Sequence, residues 1–228
     1  MSAPMKLVIF DCDGTLVDSQ HFIVEAMNMA FRANGLDVLP REEVLSGVGL
    51  SLPLAIERLI PDQPRATILA VSDGYREASG ALRRSSASHE PLYEGVGEVV
   101  EKLAARNNTL LGVATGKSVR GVDRLLNHMN WTKQFVTIQT ADTNPSKPNP
   151  AMIETAMREA GAEPHDTVMI GDTTFDMEMA RNAGVEALGV AWGYHPIRSL
   201  TAAGADLVAH SAHELIDKVD HLLRGFAN

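Results

Sequence analysis

The sequence predicts an α/β fold, a parallel sheet covered on both faces by helices, with an all-helical insert close behind its first strand. Three observations predict it. From residue 109 onward, short and nearly continuous apolar runs alternate with helix-like segments, the pattern of strands buried on both faces. The run Lys6–Phe10 has the same character and supplies a first strand far ahead of the others. Between the two, residues 19 to about 88 contain no strand-like run, only helical periodicity.

Taken in order, the first strand KLVIF runs straight into Asp11, Cys12, Asp13 and Gly14. Asp18 and Ser19 suit the cap of a helix whose apolar positions Phe22, Ala26, Met29, Ala30 and Ala33 recur at helical spacing, and Gly35 suits its stop. Further helical segments are expected at 41–46, 52–60 and 64–83, and the insert leaves through 88–95, where Pro91 and Gly95 mark a turn. Strands follow at 109–115, 135–140, 167–172, 186–192 and 206–210. Helices alternate with them at 118–129, 149–161, 174–183, 197–203 and 212–224. The expected division is a core of residues 1–17 and 91–228 with a helical cap of 18–90.

Bulk properties narrow the function. The chain has 228 residues, 45% of them apolar, enough to bury a sizeable core. No run approaches the ~20 apolar residues of a membrane span, and the first residues lack the plan of a signal peptide. A net charge of −9 leaves no electrostatic footprint for nucleic acid. The single cysteine excludes an internal disulfide. The expectation is a cytoplasmic protein acting on a small molecule, without nucleic-acid or membrane partners.

Ligands of open parallel sheets bind beyond the carboxyl ends of the strands, and here those ends carry the polar residues. Alternation along a strand lets Asp11 and Asp13 point one way while Cys12, a buried filler, points the other. IGDTTFD brings Asp172 and Asp176 to a second strand end. Several carboxylates converging are tolerable if a cation sits among them, and an all-oxygen set suits Mg²⁺. ATGKS offers Thr115, the amide of Gly116 and Lys117 at a helix start, a seat for an anion, and Lys147 sits in a proline-stiffened loop. Gly14 permits a tight path after the carboxylates, and Thr15 adds a hydroxyl and an amide. Carboxylates with a metal facing hydroxyl, amides and ammonium describe a site for phosphoryl transfer, in which an aspartate can be the nucleophile and a second carboxylate the proton donor.

DCDGT after an apolar strand, ATG at a second strand end, SKP further on and GDTTFD near the fourth strand resemble, in order, the four motifs of the haloacid dehalogenase-like superfamily. The helical insert resembles that superfamily's small cap, so the likeness spans nearly the whole chain and implies a Rossmann-like core. It implies that Asp11 is nucleophile and metal ligand, and that Asp13 is the acid/base and gives the metal its backbone carbonyl. Thr115 would then bind the transferring phosphoryl group and Lys147 offset its charge. Asp172 is a metal ligand, with Asp176 a ligand through water or an orienting group. The amides near Gly14 and Thr15, with Gly116 and Lys117, are expected to hold phosphate or substrate.

Within that superfamily an aspartate at position 13 favours an alcohol leaving group, and hence a phosphatase or phosphomutase. The cap segment SGVGLSLPLAI, residues 46–56, resembles the substrate-facing loop of capped phosphatases. It has no basic residue between Gly47 and Ile56, where sugar phosphomutases tend to carry one. The chain looks most like phosphoglycolate phosphatases, with a small carboxylated phosphomonoester as substrate. The alternatives are a mutase or pyrophosphatase of the same superfamily and a non-catalytic phosphate-binding regulator. Gly49 is read either as a turn residue or as a substrate contact. His21 and His195 are read as structural or solvent-facing, Asp142 as orienting the Lys147 loop, and the methionines of the later βα units as core filler.

Overall fold

A computed structural model describes residues 5–85 and 90–223. Six parallel strands form one sheet: β1 (Lys6–Phe10), β2 (Thr109–Thr115), β3 (Phe135–Thr140), β4 (Thr167–Gly171), β5 (Glu186–Val190) and β6 (Leu207–Ala209). Their order is β3-β2-β1-β4-β5-β6, so the chain winds outward first to one side of β1 and then to the other. The crevice where that direction reverses lies beside β1 and β4, the place such sheets use for ligands. Phe10 is in register with Val113 of β2 and Ile170 of β4. Residues 11, 114–115 and 171–172 therefore leave the sheet at nearly one level.

Alternation along β1 divides the core. Val8, Phe10 and Cys12 pack on one face with Val96, Val100, Leu103, Leu126 and Leu215. Leu7 and Ile9 pack on the other with Met152, Ile153, Met177 and Ala180. The Cys12 thiol is fully buried in the first of these layers. Burial, followed by the Asp11 and Asp13 charges, pushes it far above the ordinary thiol range. It is core filler, with no thiolate to react.

The helices of the insert are α1 (Gln20–Ala33), α2 (Arg41–Leu45), α3 (Leu52–Leu59) and α4 (Arg65–Ser85), and they have an apolar cluster of their own built on Met27, Phe31, Ile56 and Val71. Two adjacent chain segments tie the insert to the sheet: Asp18 N donates to Pro91 O at 2.8 Å, and Val17 bridges Leu92. The expected turn at 88–95 lies partly outside the described residues, as does the last residue of the helix expected at 212–224.

The remaining helices are α5 (Val96–Ala104), α6 (Val119–His128), α7 (Ala151–Ala160), α8 (Thr174–Ala183), α9 (Ile197–Ala202) and α10 (Leu215–Leu222). Helix α5 went unpredicted although Val96, Val99, Val100 and Leu103 are buried at helical spacing. Its brevity, and the glycine in its first turn, hid that periodicity. The helix expected over 212–224 instead begins with a 3₁₀ turn at Ala212–Glu214. Predicted strand ends at 172, 192 and 210 shorten to 171, 190 and 209, because the next residues turn into loops that carry polar side chains.

Candidate active site

Two adjacent strands deliver the carboxylates. Asp11 follows β1, with its amide donating to Ile170 O of β4 at 2.9 Å. Asp172 follows β4, and Asp176 stands in the first turn of α8. Oxygens of these three side chains all lie within 4.8 Å of one another, and all three residues are buried. One ammonium is set among them: Lys147 Nζ lies 3.0 Å from Asp11 Oδ2 and 2.6 Å from Asp176 Oδ1. Its loop is held down by Asn182 of α8, whose amide donates to Pro148 O at 2.8 Å.

Three carboxylates against one ammonium leave an excess of two negative charges when all are ionised. The proton affinities register that imbalance. Burial, opposed by Lys147 and reinforced by Asp176, raises the Asp11 carboxyl to about 6. Burial and the Asp176 and Asp11 charges hold Asp172 well above the usual carboxylate range. Burial pushes the Lys147 ammonium down, but Asp11 and Asp176 outweigh it and keep it above its ordinary value.

Each carboxylate differs in what its oxygens already do. Asp11 Oδ1 accepts from the Cys12 amide at 2.7 Å, whereas Oδ2, though ion-paired, is buried without an aligned hydrogen bond. Asp172 Oδ1 accepts from the Thr15 hydroxyl at 2.9 Å and Oδ2 from the Tyr194 amide at 2.8 Å. Asp176 Oδ2 accepts from the amide and hydroxyl of Thr173 at 3.0 and 2.7 Å, closing a reciprocal cap on α8. With Lys147 on its other oxygen, Asp176 chiefly organises the lysine and the helix start. A divalent cation fits this set: it would meet the orphaned Asp11 oxygen and an oxygen-only shell, and would balance the excess charge.

Asp13 stands apart, partly open to the cleft and held through one oxygen. Its Oδ1 accepts from Lys117 Nζ at 2.6 Å and from the Ser19 hydroxyl at 2.5 Å. Lys117 also meets Glu90 Oε2 at 2.9 Å, and only 8% of its side chain is exposed. Ser19 Oγ lies 3.1 Å from the Tyr194 hydroxyl. Ser19 does occupy the cap position of α1, but it makes no side-chain cap bond there. The capping expected of it falls to Asp18, which accepts from Gln20 N at 3.4 Å and Gln20 Nε2 at 2.9 Å, while Ser19 joins the site.

The other expected residues divide. Thr115 is buried at the end of β2, where its hydroxyl accepts from Lys117 N at 3.2 Å. Gly14 and Thr15 take a different part from the phosphate contacts expected of them. Gly14 N donates to Val17 O at 2.9 Å and Thr15 N to Cys12 O at 3.3 Å, so both amides are spent inside the turn. Gly14 has φ +84°, and a Cβ there would fall on the Asp172 carboxylate. Gly116 and Gly49 meet across the cleft: a Cβ on Gly116 would lie 2.5 Å from Leu50 O and 2.7 Å from Gly49 O. The 46–51 part of the expected loop is thus seated on the core, with Ser51 N donating to Ser146 Oγ at 2.7 Å, while residues from Leu52 onward belong to α3.

Asp142 does not orient the Lys147 loop. Its Oδ2 accepts from Val119 N at 2.9 Å, at the start of α6, because the turn after β3 runs beside the turn after β2. His21 is exposed. His195 Nδ1 accepts from Thr174 N at 3.1 Å, a structural place at the head of α8, and burial lowers its imidazole below the ordinary range. The residues missed in the sequence are Thr173, Tyr194, Glu90 and Trp192, whose Nε1 donates to Thr15 O at 3.2 Å. Only the Thr173–Asp176 spacing, a capping-box pattern, was there to find.

With this geometry in place, comparison with known proteins defines the class. The family model described as haloacid dehalogenase-like hydrolase matches residues 8–190, and the chain belongs to that family. Among similar proteins is one named "Probable phosphatase IndB" from Dickeya dadantii, 33% identical over 96% of this chain and 95% of its own. Another is a phosphoglycolate phosphatase of Vibrio parahaemolyticus, 30% identical over 94% and 96% of the two chains. A crystal structure of a predicted phosphatase from Clostridium acetobutylicum superposes with a TM-score of 0.84 at 25% identity, covering 96% of this chain and all of that one. The α/β core with parallel sheet expected from the sequence is the fold of this family.

Proposed function

We propose that the protein is a Mg²⁺-dependent phosphomonoesterase that works through an aspartyl-phosphate on Asp11. The observation that carries this reading is the Asp11 carboxylate: buried, level with the ends of β2 and β4, grouped with Asp172 and Asp176, and ion-paired through Oδ2 to Lys147 at 3.0 Å. An aspartate so placed can serve as the nucleophile. Asp11, Asp172 and, through water, Asp176 would hold the metal, with the Asp13 carbonyl. The bound cation would offset charge on the phosphoryl oxygens and on the carboxylates.

In the reading proposed, the Asp11 carboxylate attacks phosphorus, and the bond to the leaving oxygen breaks as Asp13 gives it a proton. Thr115 and Lys147 hold the phosphoryl oxygens. Asp13, again a carboxylate, then takes a proton from water, which attacks the aspartyl-phosphate and frees phosphate and Asp11. Ser19 and Lys117 fix Asp13 by one oxygen, and its Oδ2 accepts no hydrogen bond among the described residues. Residues 18–90 act as a cap whose 46–51 loop closes over Gly116 and keeps bulk water from the intermediate. The names of the relatives support a small carboxylated phosphomonoester as substrate, phosphoglycolate being the simplest. Phosphate release from a panel of such esters tests the reading, comparing chelator-treated enzyme with and without added Mg²⁺. Activity that returns only with the cation is expected, and turnover of no ester in the panel overturns it.

A further inference from the structure

Where the chain returns from the insert to the sheet, Glu90 puts a second carboxylate on Lys117. It stands one residue before Pro91, whose carbonyl takes the Asp18 amide at 2.8 Å, so it marks the junction of the two connecting segments. Glu90 Oε2 lies 2.9 Å from Lys117 Nζ, and its other oxygen accepts from Arg83 of α4 at 3.1 Å. Lys117 Nζ in turn donates to Asp13 Oδ1 at 2.6 Å, and the Arg83 guanidinium lies 4.2 Å from the centre of the Phe22 ring of α1. Charged contacts therefore run without a break from two helices of the insert to Asp13, through Arg83, Glu90 and Lys117.

The inner part of this line is shielded. The side chains of Glu90, Lys117 and Asp13 are 16%, 8% and 13% exposed, against 31% for Arg83, so their contacts are screened far less than those of surface pairs. A lysine ammonium is a point charge on a flexible stem, and one ion pair fixes its distance without fixing its direction. Here two features fix the direction. Glu90 grips the ammonium from the side of the insert, and the stem lies against α6, where a Cβ on Gly121 would fall 2.8 Å from Lys117 Cγ.

We infer that Glu90 is a positioning residue for proton transfer: it holds the Lys117 ammonium where it aims Asp13 and, through Arg83, makes that aim depend on where α4 lies. This rests on the phosphatase reading and deepens it, naming the residue by which the insert governs the acid of that same site.

The test measures kcat, KM and melting temperature, with para-nitrophenyl phosphate and Mg²⁺, for the wild type, Glu90→Gln, Arg83→Met, their double variant and Gly121→Ala. Glu90→Gln keeps the shape and removes the charge. Its kcat is expected to fall about tenfold, as loss of one charge-assisted contact gives, with KM within about twofold of the wild type. Arg83→Met should lower kcat less, and should add nothing to Glu90→Gln, because the two act along one line of contacts. Gly121→Ala alters no charge and alanine favours helix, so the fold holds while the new Cβ displaces the Lys117 stem and kcat drops. The inference is overturned if Glu90→Gln keeps the wild-type kcat, if it raises KM in place of lowering kcat, or if its loss is matched by unfolding at the assay temperature. It is equally overturned if the Glu90 and Arg83 losses multiply, or if Gly121→Ala is fully active. Loss of the phosphatase reading looks different: para-nitrophenyl phosphate would then go unhydrolysed by the wild type, or be hydrolysed equally by Asp11→Asn.

Discussion

Asp13 and Asp11 are two residues apart, and their surroundings separate them as the opposite work proposed for them requires. Asp11 is sealed among charges, one oxygen fixed by the Cys12 amide and the other ion-paired to Lys147. Asp13 is tethered at one oxygen by Ser19 and Lys117, with Tyr194 behind Ser19. In the proposed mechanism Ser19 is a positioning residue, aiming the acid without touching substrate. Ser19→Ala is expected to lower kcat about tenfold, the worth of one charge-assisted hydrogen bond, with KM nearly unchanged. The split between kcat and KM, measured with para-nitrophenyl phosphate, checks this. A rise in KM alone would place Ser19 in substrate binding. Nothing in the sequence distinguished this serine from an ordinary helix cap, because its partners lie 6 and 175 residues away along the chain.

At the scale of elements, the site depends on loops being brought close without side chains in the way. The 46–51 loop rests on Gly116, whose missing Cβ leaves room for the carbonyls of Gly49 and Leu50. Gly116→Ala should lift that loop, lowering kcat/KM by about 10²-fold, as small misplacements of a closed site do, with little change in melting temperature because the contact is not in either core. A kinetic and melting comparison decides it, and an unchanged kcat/KM would mean that the loop does not close over substrate. The strand ends were legible because parallel strands buried on both faces leave unbroken apolar runs, and their last residues are the polar ones. The contacts between loops were not legible. They are set by which turns the sheet order brings together, as with Asp142, which lies beside the α6 start and away from Lys147.

For the whole molecule, burying three carboxylates with one lysine ties stability to metal and pH. A carboxyl raised to about 6 in the folded protein holds its proton more tightly than the unfolded chain, whose value is near 3.8. For metal-free protein, Asp11 therefore contributes its full penalty above pH 6, and the penalty is relieved as pH falls from about 6 toward 3.8. A cation needs the ionised form, so Mg²⁺ should raise the melting temperature of chelator-treated protein more at pH 7.5 than at pH 5. Equal shifts at both values would show that the cation binds elsewhere. The fold and the order of motifs could be read from the sequence because both follow from local pattern. The pairing of Lys117 with Asp13 and Glu90 could not, since it depends on how the segment leaving the insert meets the turns after β1 and β2.

The central claim is that Asp11 is the nucleophile of a metal-dependent phosphatase. Mg²⁺-dependent phosphate release from para-nitrophenyl phosphate, measured for the wild type and for Asp11→Asn at matched folding, tests it most directly. The account predicts turnover by the wild type and none above background by the variant. Equal rates for the two proteins would contradict it.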